Sequence, residues 1–157
     1  MIRTVAVATF IAGTLDITMA AVDATVKGGD ASGMLRSVAS GPFPGAGDWG
    51  APGAAAGLAV HFAIMAVMAT VFTLAYRNRA AVRARPLLAG AIYGVGLWLI
   101  MYGLVLPLRF GAPFPSPDPM EIAKQLIAHV VLVGMITALV TRRLMGASSS
   151  GKPGRVR

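Results

Sequence analysis

The stretch Pro86–Leu106, PLLAGAIYGVGLWLIMYGLVL, runs for 21 residues without one charged side chain. At 1.5 Å per residue a helix of that length covers about 30 Å, the thickness of the hydrocarbon core of a bilayer. Lipid offers no hydrogen bonds, so a segment at that depth must satisfy its own backbone, and the stretch reads as a membrane-spanning helix. Pro86 suits a first turn, where its missing N–H would lack an acceptor anyway. Pro107 follows the run and is read as its end.

Working outward, three more segments share this character. Residues 53–76 are apolar except for His61, Thr70 and Thr73. Residues 4–24 form an apolar run broken by Asp16. Residues 120–142 follow a polar start in which Asp118 fits an N-cap, Pro119 a first turn and Glu121 the positive end of the helix dipole. The fold class expected is all-α: a polytopic membrane protein, a four-transmembrane-helix bundle filling residues 1–145, with spans at about 4–24, 53–76, 86–106 and 120–142. The first segment has a rival reading as a cleavable signal peptide, with a basic start and small residues at Val22-Asp23-Ala24. A retained span is favoured, because Asp16 would interrupt the apolar region of a signal and the run is long enough to cross.

The whole composition agrees. Of 157 residues 56% are hydrophobic and 13% charged, with mean hydropathy +0.71, about half the charge of an ordinary soluble domain. A disordered chain is excluded and a soluble one disfavoured, and four spans leave no room for a separate catalytic domain. With no cysteine, disulfides, thiolate nucleophiles, iron–sulfur clusters and cysteine zinc sites are excluded. The net charge of +8 falls at segment ends rather than along an aromatic-interleaved stripe, so it speaks for membrane orientation and against nucleic acid.

Counted by connection, Arg3, Arg77, Arg79, Arg83, Arg85, Arg142, Arg143, Lys152, Arg155 and Arg157 lie on one side, and Lys27, Arg36, Arg109 and Lys124 on the other. The positive-inside rule then puts both termini in the cytoplasm, which fits a multi-pass protein of a bacterial inner membrane. The two outer loops, 28–52 and 107–119, hold eight of the ten prolines and are expected to be stiff connections rather than tethers. Within the first, ASGMLRSVAS (residues 31–40) spaces Met34, Leu35 and Val38 for a short interfacial helix, with Trp49 as an anchor at the membrane surface. The segment 146–157 reads as a disordered basic cytoplasmic tail.

Ionisable groups within spans are costly and mark candidate sites. His61 and His129 lie roughly 12 to 15 Å below the outer ends of their helices, and Asp16 roughly 10 Å below its own, at 1.5 Å per residue. Glu121, Gln125 and His129 recur every four residues on one helix face, while Thr9, Gly13, Asp16, Ala20 and Asp23 share a face of the first span. Both stripes are expected to line a polar, ligand-binding cleft open to the outside, to which Tyr102 adds a hydroxyl. Three roles compete for Asp16, His61, Tyr102, Glu121, Gln125 and His129: hydrogen bonds that specify packing, a site for a small ligand or proton, and a cofactor centre. In the last, His61 and His129 are the metal ligands, to haem b or, with Met19, Met65, Met68 or Met101 nearby, to copper. Methionine also fills irregular cores, so no cofactor is the primary expectation. Gly90 with Gly94, and Gly134 with Ala138, are spaced for close helix approach, within one bundle rather than between copies.

No phosphate loop, GxSxG, HExxH or dinucleotide fingerprint is present, and Ser32, Ser37 and Ser40 have no base nearby in sequence, so an enzyme is not expected. The run GMLRSVASGPFPGA, His61 in GLAVHF, Gly90 and Gly94 followed by Pro107 in LPL, and His129 in AHVVLVG resemble small bacterial inner-membrane proteins of the YagU-like group. The resemblance covers about residues 10–143 and implies a four-span protein with both histidines as family features. It implies no reaction. The role expected is accessory, stress-related or small-ligand-handling, with the bilayer and other membrane proteins as partners; a haem or copper redox subunit is the alternative.

Overall fold

The computed structural model describes residues 1–147; the rest of the expected tail, from residue 148, lies outside the described residues. The chain forms α1 (Ile2–Val26), a short α2 (Ala31–Ala39), α3 (Ala51–Asn78), α4 (Ala80–Ala84), α5 (Pro86–Phe110) and α6 (Pro119–Gly146). Among the described residues all regular structure is helical, and α1, α3, α5 and α6 are long and apolar enough to cross a membrane. This is the four-helix membrane bundle expected. One end of the bundle carries α2 and is called the cap end; the other carries Arg77–Arg85, Arg142 and Arg143 and is called the arginine end.

The element boundaries follow local chemistry. Asp30 caps α2, its Oδ1 accepting from the Gly33 N–H at 2.7 Å, and Asp118 caps α6 through the Met120 N–H at 2.9 Å. At the arginine end the Arg83 guanidinium donates to the Tyr76 carbonyl at 3.2 Å and the Arg77 carbonyl at 2.6 Å, satisfying the last turn of α3. The connection 77–85, too short to be a domain, therefore still contains the helical turn α4.

Pro107 does not end α5. The helix runs on to Phe110 and closes at Gly111, whose φ of +65° lets its N–H return to the Pro107 carbonyl at 2.9 Å. A proline inside a helix lacks an N–H and crowds the carbonyl one turn earlier. Here the preceding turn, Met101–Val105, is widened to the π form, which accommodates both demands. A second wide stretch, Ile127–Met135, lies in α6, which also extends past residue 142 to Gly146.

The helices are not packed as a square. α1 lies against α3 and α6, α5 lies almost wholly on α6, and α3 and α5 barely touch. Glycine sets the α5–α6 contact: a Cβ at Gly90 would come within 2.6 Å of the Gly134 carbonyl oxygen and 2.7 Å of the Ala138 Cβ. A Cβ at Gly94 would meet the Val130 Cα at 2.6 Å. The small residues thus bring helices of one chain together, as small-residue spacing allows in lipid.

Along the bundle axis the core changes character. In the middle, Ala12, Met65, Leu97 and Val133 bring all four long helices together. Toward the arginine end Phe72, Tyr76 and Ala138 pack with Tyr93, and the buried Thr73 and Thr141 hydroxyls meet at 3.4 Å. The Tyr93 hydroxyl donates to the Met68 carbonyl at 2.9 Å, one of the few ties between α5 and α3. Toward the cap end no such apolar layer forms. Ile92, Leu99, Leu104 and Leu108 project outward from α5, of whose most apolar window only 11% is buried, a surface suited to lipid.

Candidate functional site

The cap-end space between α1, α5 and α6 is a cleft of about 390 Å³. Its lining includes Asp16, Tyr102, Glu121, Gln125 and His129, five of the six residues singled out in the sequence. His61 is not in that lining. Its place is one layer away, in the α1–α3 contact.

That contact explains the His61 geometry. Gly13 is buried on α1, where a Cβ would meet the Phe62 ring at 2.8 Å, so the helices approach closely enough for His61 Nε2 to reach the Gly13 carbonyl at 2.9 Å. A carbonyl oxygen only accepts, so the hydrogen sits on Nε2. The other ring nitrogen, Nδ1, then faces Asp16 Oδ2, 3.9 Å away.

His129 is the mirror case. Its Nδ1 donates to the Gln125 carbonyl at 3.1 Å, leaving the Nε2 lone pair as the free acceptor of the neutral ring. The Tyr102 ring stands edge-on to it, with centroids 5.4 Å apart. Both residues sit on the widened turns, Tyr102 in Met101–Val105 and His129 in Ile127–Met135. The spacing-of-four stripe on α6 therefore holds through Gln125 in regular helix and reaches His129 where the helix is already unwinding. The Gln125 Oε1 accepts from the Trp98 indole at 3.1 Å, which fixes its amide orientation with the NH₂ group left over.

The mouth of the cleft holds four charges: Asp23 and Glu121, which the sequence placed on the two polar stripes, and Lys27 and Lys124, which it counted only as outer-side basic residues. Lys27 bridges Asp23 at 2.5 Å and Glu121 at 2.6 Å; Lys124 bridges the same pair at 2.6 and 2.9 Å. This closed ring joins the end of α1 to the start of α6. Hydrogen bonds from its ammonium to Asp23, then to Glu121, hold the Lys27 pKa above the ordinary lysine value. Two of the four contacts were legible as i,i+4 and i,i+3 pairs; the two across helices were not.

Met19 of α1 and Met34 of α2 also line the cleft, whereas Met65 is core, Met68 packs against that core, and Met101 is not in the lining. The two imidazoles proposed as joint metal ligands have separate surroundings, one on the Gly13 carbonyl and one on the cleft wall. Among the described residues no group of three or more histidine, aspartate or glutamate side chains is arranged to hold a metal.

Around the mouth, α2 rests on α3, with the Leu35 backbone where any Cβ at Gly57 would fall. Arg109 reaches from the end of α5 to the Gly41 and Ser40 carbonyls, both at 2.8 Å. Trp49 packs on Phe43, ring centroids 5.9 Å apart, and keeps 47% of its surface exposed. A larger groove of about 560 Å³ lies between the first half of α1 and α3, lined by Val5, Phe10, Phe62 and Ala66. Thr9 and Thr70 are its only hydroxyl-bearing lining residues, and its otherwise apolar wall suits acyl chains. Comparison with protein-family models, curated proteins and solved structures finds no match to this chain.

Proposed function

We propose that this integral membrane protein handles a small ligand in the cap-end cleft, with the cap end outside and both termini in the cytoplasm of a bacterial cell. The supporting observation is the convergence of Asp16, Tyr102, Gln125 and His129 on one cleft at a depth where polar groups are costly. The role in this reading is accessory and without catalysis, the cleft wall binding through its hydrogen-bond donors and acceptors.

The natural absence of cysteine makes the test direct. Ala128→Cys places a thiol in the cleft lining, and Val131→Cys places one on an exposed lipid-facing position of the same helix. In intact cells a membrane-impermeant methanethiosulfonate is expected to label the first and not the second. Equal rates, or no labelling of Ala128→Cys, defeat the reading of a hydrated cleft open to the outside.

A second reading is copper at the same place. Two thioethers, Met19 and Met34, share the cleft with the Nε2 lone pair of His129, a donor set that suits Cu(I). It centres on His129 rather than on a histidine pair. Purified protein from copper-replete cells then carries copper that His129→Phe loses and His61→Gln keeps; metal-free wild type excludes it.

A further inference from the structure

Resting on the reading of the cleft as a ligand site, we infer that the ligand it takes carries an ammonium group, with Asp16 as its counter-charge. Three carboxylates line the cleft, Asp16, Asp23 and Glu121, against two ammonium groups, Lys27 and Lys124. The ring at the mouth consumes both lysines, each bridging Asp23 and Glu121 at 2.5 to 2.9 Å. Asp16, deeper in, has the His61 ring at 3.9 Å but no lysine or arginine at ion-pair distance. A carboxylate so placed is short of one positive charge and of hydrogen-bond donors.

Two other groups of the floor accept as well, beside the Gln125 NH₂ that donates. His129 presents the Nε2 lone pair, because Nδ1 is committed to the Gln125 carbonyl. Tyr102 adds a hydroxyl oxygen and an aromatic ring. An ammonium group is all donor, three N–H bonds and no acceptor, and an aromatic face favours it further. An anion meets Asp16 without a free cation among these lining residues, and a neutral alcohol leaves the charge uncompensated. The cleft volume of about 390 Å³ accommodates a small organic cation with room beyond the charged group. The ammonium can belong to a free amine or to the headgroup of an amine-bearing lipid, since the mouth of the cleft lies at the end of α1 and the start of α6.

The experiment uses the full chain in phosphatidylglycerol nanodiscs, titrated at neutral pH with cyclohexylamine, cyclohexanol and cyclohexanecarboxylate. The readout is the fluorescence of Trp98, which is tied to the cleft through Gln125. Saturable binding of the amine, with the alcohol and the acid at least about tenfold weaker, is expected, and Asp16→Asn is expected to weaken the amine about 10- to 100-fold. Binding of the alcohol or the acid as tight as the amine overturns the inference. If Asp16→Asn does not fold, the wild-type series decides alone.

The Ala128→Cys label separates the two levels of failure. An unlabelled thiol defeats the cleft itself; a thiol that labels but that cyclohexylamine does not protect defeats only the ammonium class. Repeating the amine titration with phosphatidylethanolamine in the disc identifies the source of the group. A lowered apparent affinity assigns it to the lipid headgroup, and an unchanged one to a soluble amine.

Discussion

A single methyl group is the sharpest probe of the α5–α6 contact. At Gly90 it would face both the Gly134 carbonyl and the Ala138 Cβ at under 3 Å, on helices whose backbones cannot separate without losing the rest of their contact. Gly90→Ala is expected to destabilise the bundle by about 1 to 3 kcal/mol, the usual cost of overpacking, measured by detergent-induced unfolding. Gly96, with open space around it, is the control: Gly96→Ala should leave stability unchanged or raise it slightly. The sequence showed the spacing of Gly90, Gly94 and Gly134. It did not show that Gly94 faces the His129 backbone, so that a packing glycine and a site histidine share one contact.

At the scale of elements, the cap is held by few bonds. Arg109 donates to the Ser40 and Gly41 carbonyls just past the end of α2, the only charged side chain reaching that turn among the hydrogen bonds described above. Arg109→Ala is expected to cost about 1 kcal/mol, discounted for exposure, and to raise amide exchange in residues 31–49 ahead of the spans. Unchanged exchange would mean that the α2–α3 packing at Gly57 suffices. The short helix itself was legible, because Met34, Leu35 and Val38 recur at helical spacing; its Asp30 cap was not read. The wide turns were not. The first precedes Pro107, which the sequence displays, whereas Ile127–Met135 contains no proline to announce it.

The ring of Lys27, Asp23, Glu121 and Lys124 belongs to the molecule as a whole, since it ties the first span to the last. The folded pKa of Lys27 lies above the ordinary 10.5, so its stabilising effect is complete below that value and is lost as pH rises through the raised one. Thermal stability in detergent should stay level on approaching 10.5 from neutral and fall above it. Lys27→Met should reduce that fall. High salt should weaken the ring at every pH, because its members are partly exposed.

What the sequence by itself determined is what depends on neighbours along the chain. Four apolar runs of spanning length, a capped start at Asp118 and a polar stripe from Glu121 to His129 are local patterns that lipid forces into helices. The tertiary structure decided what depends on neighbours across helices. It set His61 against Gly13 and left His129 in the cleft, although the sequence puts both at similar depth in apolar segments. It also joined lysines and carboxylates 94 and 101 residues apart into a ring, leaving Asp16 without a lysine partner. The physical reason is that a hydrogen bond or ion pair is made over about 3 Å, and helix periodicity gives a direction around one axis but not the distance to the next.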